Sequence, residues 1–250
     1  MRLGAVLLAA GRSLRFGRED KLLADAGGRT MLSRALETLN ALDADERAAV
    51  VSSEEASKLA EEVGFDVVRN DEPEAGLSRS IALGVLWAHA KGCDAVLLAV
   101  ADQPLLTAES LAALLAAFRR TGRVACLADE SHRGNPAVFP AACFAELLAL
   151  RGDCGAKGVL RKHEDELTVV RCRYPCELAD ADEPQALERL RGRLAQREAK
   201  MGFGDEIPKQ VWNRSLPPPV AETGRRGLET ARNALRDYAS FPGRQSNVSH

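Results

Sequence analysis

Nowhere in these 250 residues is there a run of the ~20 apolar residues that a membrane-spanning helix needs, which predicts a soluble protein. Charge of one sign is lacking too: 34 Lys and Arg stand against 36 Asp and Glu, a formal net charge of -2. No global field therefore recruits nucleic acid or an anionic membrane, and selectivity has to come from a local site. The six cysteines (Cys93, Cys126, Cys143, Cys154, Cys172, Cys176) contain no C-x-x-C pair, and four of them lie in or beside apolar segments. They read as reduced, small buried hydrophobes in a cytoplasmic protein, and the spacing of Cys172 and Cys176 is poor for zinc. Two common anion-binding signatures are also missing. The sequence has neither G-x-G-x-x-G after its first apolar run nor the Gly-Lys-Ser/Thr of a P-loop, which disfavours a dinucleotide dehydrogenase and a Walker-type ATPase.

What is present is a recurrence of short apolar runs, at residues 4–9, 48–51, 67–68, 95–100 and 124–127, with helical patterns between them. This alternation predicts an α/β fold, a mostly parallel sheet covered by helices on both faces. The first run follows Arg2 and superficially resembles a secretory leader, but it passes through Gly11 straight into patterned sequence and is better read as a buried strand. Two helices carry clear start signals. Leu32, Ala35, Leu36 and Leu39 repeat at helical spacing after Thr30, as do Leu111, Leu114, Leu115 and Phe118 after Thr107, and both Thr residues are natural N-caps.

Beyond residue 137 the pattern predicts a strand at 137–139, a helix at 144–150, a polar loop at 151–158, a strand at 167–173 and a last helix at 184–196. These should form a lobe against the same sheet, since no linker intervenes. One compact domain over 1–198 is expected, followed by a poorly ordered tail at 199–250. Residues 202–219 of that tail hold four prolines, and 222–238 could form one amphipathic helix.

Three places carry chemistry. The loop after the first strand offers Gly11 and Gly17 around Ser13, with Arg12 and Arg15, and ends in Lys21. Backbone amides in such a turn wrap a triphosphate while Arg and Lys neutralise its charge; the bland alternative is a tight turn with solvated basic residues. Asp102 directly follows the run 95–100, so it lies where a strand's carboxyl end places ligands in open α/β sheets. It either holds a phosphate-bridging Mg²⁺ or caps the turn before Thr107. The acidic cluster Asp180-Ala181-Asp182-Glu183 either complements the N-terminus of the last helix or lends Asp182 to a metal shared with Asp102.

Taken together, these residues resemble the MobA-like nucleotidyltransferases, and most closely the molybdenum cofactor cytidylyltransferases, from Met1 to about Leu194. The resemblance rests on Leu8-Ala9-Ala10-Gly11-x-Ser13-x-Arg15-Phe16-Gly17-x-x-x-Lys21-Leu22-Leu23, on Ala101-Asp102-Gln103-Pro104, and on Gly134-Asn135-Pro136. It also takes in Gly152-Asp153-x-Gly155-Ala156-Lys157 and Asp180-x-Asp182-x-Pro184. It implies a Rossmann-like three-layer sandwich of the nucleotide-diphospho-sugar transferase type.

By the same resemblance, Leu8, Ala9, Ala10, Gly11 and Ser13 bind the nucleotide, Lys21 and Arg15 serve catalysis, and Asp102 and Asp182 ligate Mg²⁺. Ser78 and Ser80 belong to a second nucleotide-contacting stretch, and Ala10 favours CTP over GTP. Gly134, Asn135, Pro136, Asp153 and Lys157 face the acceptor, a molybdopterin-type cofactor, with His132 and Arg133 near its phosphate. The bland readings here are turn glycines and a solvated charge run. Lys157 departs from a frequent Arg, exchanging a bidentate phosphate clamp for a point charge. Competing functions are GMP transfer to the same cofactor, CMP transfer to a sugar-alcohol phosphate, a chaperone delivering cofactor to a molybdoenzyme through the tail, and an inactive nucleotide sensor.

Overall fold

The computed structural model describes residues 1–11, 20–130 and 132–200, and all that follows concerns these. In chain order the elements are β1 (Leu3–Ala9), α1 (Met31–Asn40), β2 (Glu46–Val51), α2 (Glu54–Glu62), β3 (Asp66–Arg69), α3 (Leu77–Ala90) and β4 (Ala95–Val100). Then come α4 (Ala108–Thr121), β5 (Ala125–Ala128), β6 (Arg133–Pro140), α5 (Phe144–Leu148), α6 (Lys157–Lys162), β7 (Thr168–Arg171) and α7 (Pro184–Lys200). The strands form one sheet in the order β3-β2-β1-β4-β6-β5-β7, in which β6 alone runs antiparallel to its neighbours.

The apolar strands are continuous in sequence because both faces are covered. In β1, Leu3, Ala5, Leu7 and Ala9 enter one core, with Leu32, Leu36 and Leu39 of α1 and Leu111, Leu115 and Phe118 of α4. The alternate residues Val6 and Leu8, followed by Ala10, enter the other, with Ile81, Val85 and Trp87 of α3 and Phe144 of α5. This period of two across a covered sheet makes the three-layer α/β sandwich that the alternation predicts. Thr30 and Thr107 cap α1 and α4, their hydroxyls accepting from the amides of Ser33 and Ser110. Gly84 lets α3 sit close to the sheet: a Cβ there would lie 2.6 Å from Val6 Cγ1.

The later part of the chain differs in detail from the sequence reading. Residues 133–140 are not a strand in a lobe on the sheet but an interior strand of it, longer than expected because β6 is laddered on both sides, to β4 and β5. A short 3-10 turn, Ala141–Cys143, precedes α5, which stops at Leu148, where the Arg151 guanidinium takes up the Leu148 and Leu150 carbonyls. Lys157 and Gly158 belong to α6 rather than to the loop. β7 ends early because the Arg173 amide turns away to donate to Ser110 Oγ (2.7 Å). α7 packs Leu187, Leu190 and Leu194 against Met31, Leu105 and Ala181, in a third small cluster at the same edge as the carboxyl ends of β1 and β4.

Candidate active site

From β1 the chain goes outward to β2 and β3, whereas β4 lies on β1's other side, so the strand order reverses between β1 and β4. In an open α/β sheet, ligands settle in the crevice beyond the strand ends at such a reversal. Here that crevice is a cavity of about 330 Å³ lined by Leu8, Ala10 and Gly11 from the end of β1, Ala101 and Asp102 from the end of β4, and Lys21. A second hollow of about 390 Å³ adjoins it, and Leu77, Val100, Asp102 and Asp153 line both.

Lys21 is the centre of the first cavity. Its stretch is held by Asp20, whose carboxylate accepts from the Leu22 amide (3.0 Å), and the Lys21 side chain is 11% exposed. The ammonium donates to Asp102 Oδ2 (2.7 Å) and to Asp182 Oδ1 (3.1 Å). Burial pulls the Lys21 pKa down, the two carboxylates pull it up, and the net result lies above the ordinary lysine value. Two acids 80 positions apart in the chain thus converge on one cation.

Asp182 gets there because its loop is tied down twice. The Ala181 amide donates to the Asp102 carbonyl (2.9 Å). Upstream, Glu177 is fully buried and accepts from the Thr107 amide (2.9 Å), Thr107 Oγ1 (2.6 Å), Ser110 Oγ (2.9 Å) and the Tyr174 amide (2.7 Å). These bonds, at the positive N-terminal end of α4, offset the cost of burying the charge. Gln103 adds a further link, donating from Nε2 to Asp180 Oδ1 (3.0 Å). Partial desolvation, then the charge of Asp102, push the Asp180 carboxyl above its ordinary value. Glu177 was missed from sequence because a buried acid three residues before an acidic cluster looks like part of a solvated face. Gln103 stood in a quoted motif without a role.

Of the residues expected to bind nucleotide, Leu8, Ala10, Gly11, Lys21, Ser80 and Asp102 line the first cavity. Ala9 faces the opposite core and Ser78 is buried; neither is among the lining residues. The Ser78 amide instead donates to the Gly152 carbonyl (3.1 Å), and Ser80 Oγ accepts from Asn70 Nδ2 (3.0 Å). Ser13 and Arg15 fall outside the described residues.

The expected acceptor residues Gly134, Asn135, Asp153 and Lys157 line the second hollow together with His132, Arg133, Gln103, Asp180 and Asp182; Pro136 does not. Arg133, though exposed, is engaged by Glu164 in a two-pronged pair (2.7 and 2.8 Å). Asp153 serves both hollows, because its Oδ1 accepts from the Leu77 amide (3.3 Å) at the start of α3. Gly76, at φ 90°, allows this contact: a Cβ there would lie 2.5 Å from the Gly152 carbonyl. The two hollows thus share one wall.

With this geometry in view, the sequence profile of the MobA-like NTP transferase domain matches residues 5–167. Nicotine blue oxidoreductase of Paenarthrobacter nicotinovorans is 29% identical over 195 residues, covering 74% of this chain and 94% of that protein. Molybdenum cofactor guanylyltransferase of Cereibacter sphaeroides is 29% identical over 194 residues, covering 73% and 96%. A solved nucleotidyl transferase from Methanothermobacter thermautotroptrophicus superposes with a TM-score of 0.65 at 26% identity, over 78% of this chain and 99% of that one. The protein Rv0371C of Mycobacterium tuberculosis, solved in complex with manganese, shares the fold with a TM-score of 0.59 at 23% identity, over 77% and 99%.

Proposed function

Because the chain belongs to the MobA-like NTP transferase domain family, we propose that it transfers the CMP of CTP to the terminal phosphate of a molybdopterin-type cofactor, with Mg²⁺, releasing pyrophosphate. The observation that carries this reading is the Lys21 ammonium bridging Asp102 and Asp182 where β1 and β4 end. An all-oxygen pair already gathered around one positive charge suits a hard divalent cation, and Asp102 and Asp182 would hold it. Bound there, the ion would neutralise phosphate oxygens and polarise the α-phosphorus.

The remaining work falls to the chain. The backbone at Ala10 and Gly11 faces the first cavity, where a triphosphate would lie against it. Lys21 lies within the same cavity, so that charge building on the α-phosphate meets a preorganised ammonium. The acceptor's phosphate is already ionised at neutral pH, so no protein base has to remove a proton. The shared wall of Leu77, Asp153 and Asp102 would align the two substrates, which is the main contribution positioning makes to such a transfer. The relative named as an oxidoreductase does not redirect this reading, since the first apolar run is not followed by the G-x-G-x-x-G turn of a dinucleotide site.

CTP is preferred over GTP on the resemblance of the Leu8-Ala9-Ala10-Gly11 stretch, while the guanylyltransferase relative supports GTP as the second reading. The test is pyrophosphate release with each of the four NTPs, in Mg²⁺, with molybdopterin-type cofactor as acceptor. CTP alone should turn over, and Asp102→Ala should be inactive though folded. Turnover with GTP alone shifts the nucleotide; no release with any NTP removes the reading.

A further inference from the structure

Outside the residues that line the two hollows, three side chains of metal-binding type meet where α5 and α6 come together. Cys143 closes the 3-10 turn before α5, Glu146 stands three residues on and so shares its face, and His163 ends α6. The Cys143 sulfur lies 3.7 Å from His163 Nε2, the Glu146 Oε1 lies 2.9 Å from the same nitrogen, and all three ligand atoms are within 4.8 Å of one another. Among the described residues this is the one group of three so arranged.

We propose that Cys143, Glu146 and His163 form a second cation site, for a zinc-class transition ion, which clips α5 to α6 on either side of the connecting loop that carries Asp153. Tetrahedral zinc with bonds of about 2.0–2.3 Å sets neighbouring ligand atoms about 3.3–3.7 Å apart. The sulfur and nitrogen already stand at that distance, and the nitrogen and oxygen need to open by a few tenths of an ångström. One sulfur and one imidazole select a zinc-class ion over the Mg²⁺ that an oxygen pair prefers.

The His163–Glu146 hydrogen bond by itself does not account for the cluster. With the Nε2 hydrogen given to Glu146, that nitrogen has no lone pair for the buried thiol that faces it, so Cys143 and Glu146 compete for one donor. A cation between them satisfies all three, with the thiol proton released to solvent and the imidazole ligating through an Nε2 lone pair, its hydrogen carried on Nδ1. Lys162 Nζ lies 3.3 Å from Glu146 Oε2, the oxygen a metal would not take, as an outer partner that orients a ligating carboxylate. Cys143 is buried and the other two half-buried, leaving the fourth position to water. The closed segment runs from Cys143 to His163 and contains the acceptor-side wall.

The test uses the full chain stripped with chelator and titrated with Co²⁺. One equivalent should bind with a thiolate-to-cobalt charge-transfer band and the intense visible bands of four-coordinate cobalt. Asp102→Asn should keep this spectrum, Cys143→Ser should lose the charge-transfer band, and Zn²⁺ should raise the Tm of the wild type by several degrees. Absence of the band in the wild type overturns the proposal, as does a band unchanged in Cys143→Ser, which would place the ion on another cysteine. Should Cys143→Ser fail to fold by circular dichroism, Glu146→Gln decides: it should weaken cobalt binding tenfold or more, and unchanged binding overturns the site.

Discussion

Lys21 holds the position between Asp102 and Asp182 that the proposed divalent ion would take. A cation can enter only if the ammonium leaves, and the triphosphate that would arrive with the ion offers the ammonium a new partner. Metal and nucleotide should therefore bind the wild type together. Lys21→Met removes the competing charge and leaves two carboxylates facing each other. It should bind Mn²⁺ more tightly than the wild type when no nucleotide is present, read by electron paramagnetic resonance. In the same variant kcat should fall by about 10²–10³-fold, the cost typical of one lost transition-state donor, while KM for CTP moves less. Weaker Mn²⁺ binding, or a change confined to KM, would count against this role.

At the scale of elements, what matters is how the loop between β7 and α7 is held. Glu177 accepts four hydrogen bonds from α4's first turn and from its own loop, and two of the donors, Thr107 and Ser110, also make up the α4 cap. Glu177→Ala leaves buried donors unpaired, which costs about 1–3 kcal/mol for each unsatisfied group. It also removes one of the ties that hold Asp182 beside Asp102, leaving the Ala181–Asp102 bond. The expected outcome is a lower Tm together with a rise in the Mg²⁺ needed for half-maximal turnover, on the order of 10-fold. A drop in Tm with the Mg²⁺ dependence unchanged would make Glu177 a stability residue only. None of this was legible in the sequence, because a carboxylate's burial depends on which helix end folds over it. β6 is a like case: its apolar residues announce a strand, but nothing in a local pattern sets its direction or seats it between β4 and β5. By contrast β1 and β4 were legible, since strands buried on both faces must be apolar throughout.

For the whole molecule, the two hollows, the carboxylate pair and the family match all lie before residue 200. Deleting residues 202–250 should leave kcat/KM within about twofold if the chain acts as an enzyme on free substrates, because the site residues among the described ones all lie before that segment. Steady-state kinetics of the truncated chain checks this. Retained turnover with loss of a co-purifying molybdoenzyme would instead support delivery by the tail.

The amino-acid sequence by itself determined the α/β class, the strands that build the switch point, the helix caps at Thr30 and Thr107, and the identity of Lys21, Asp102 and Asp182 as candidates. These are short-range matters, readable from periodicity, capping and motif. Only the tertiary structure decided that Lys21 stands between the two acids, that Asp153 is a wall shared by both hollows, that Glu177 is buried, and that Cys143, Glu146 and His163 meet. The reason is geometric: each of these contacts joins segments far apart along the chain, and their meeting depends on strand order and on the packing of whole elements, which no local pattern records.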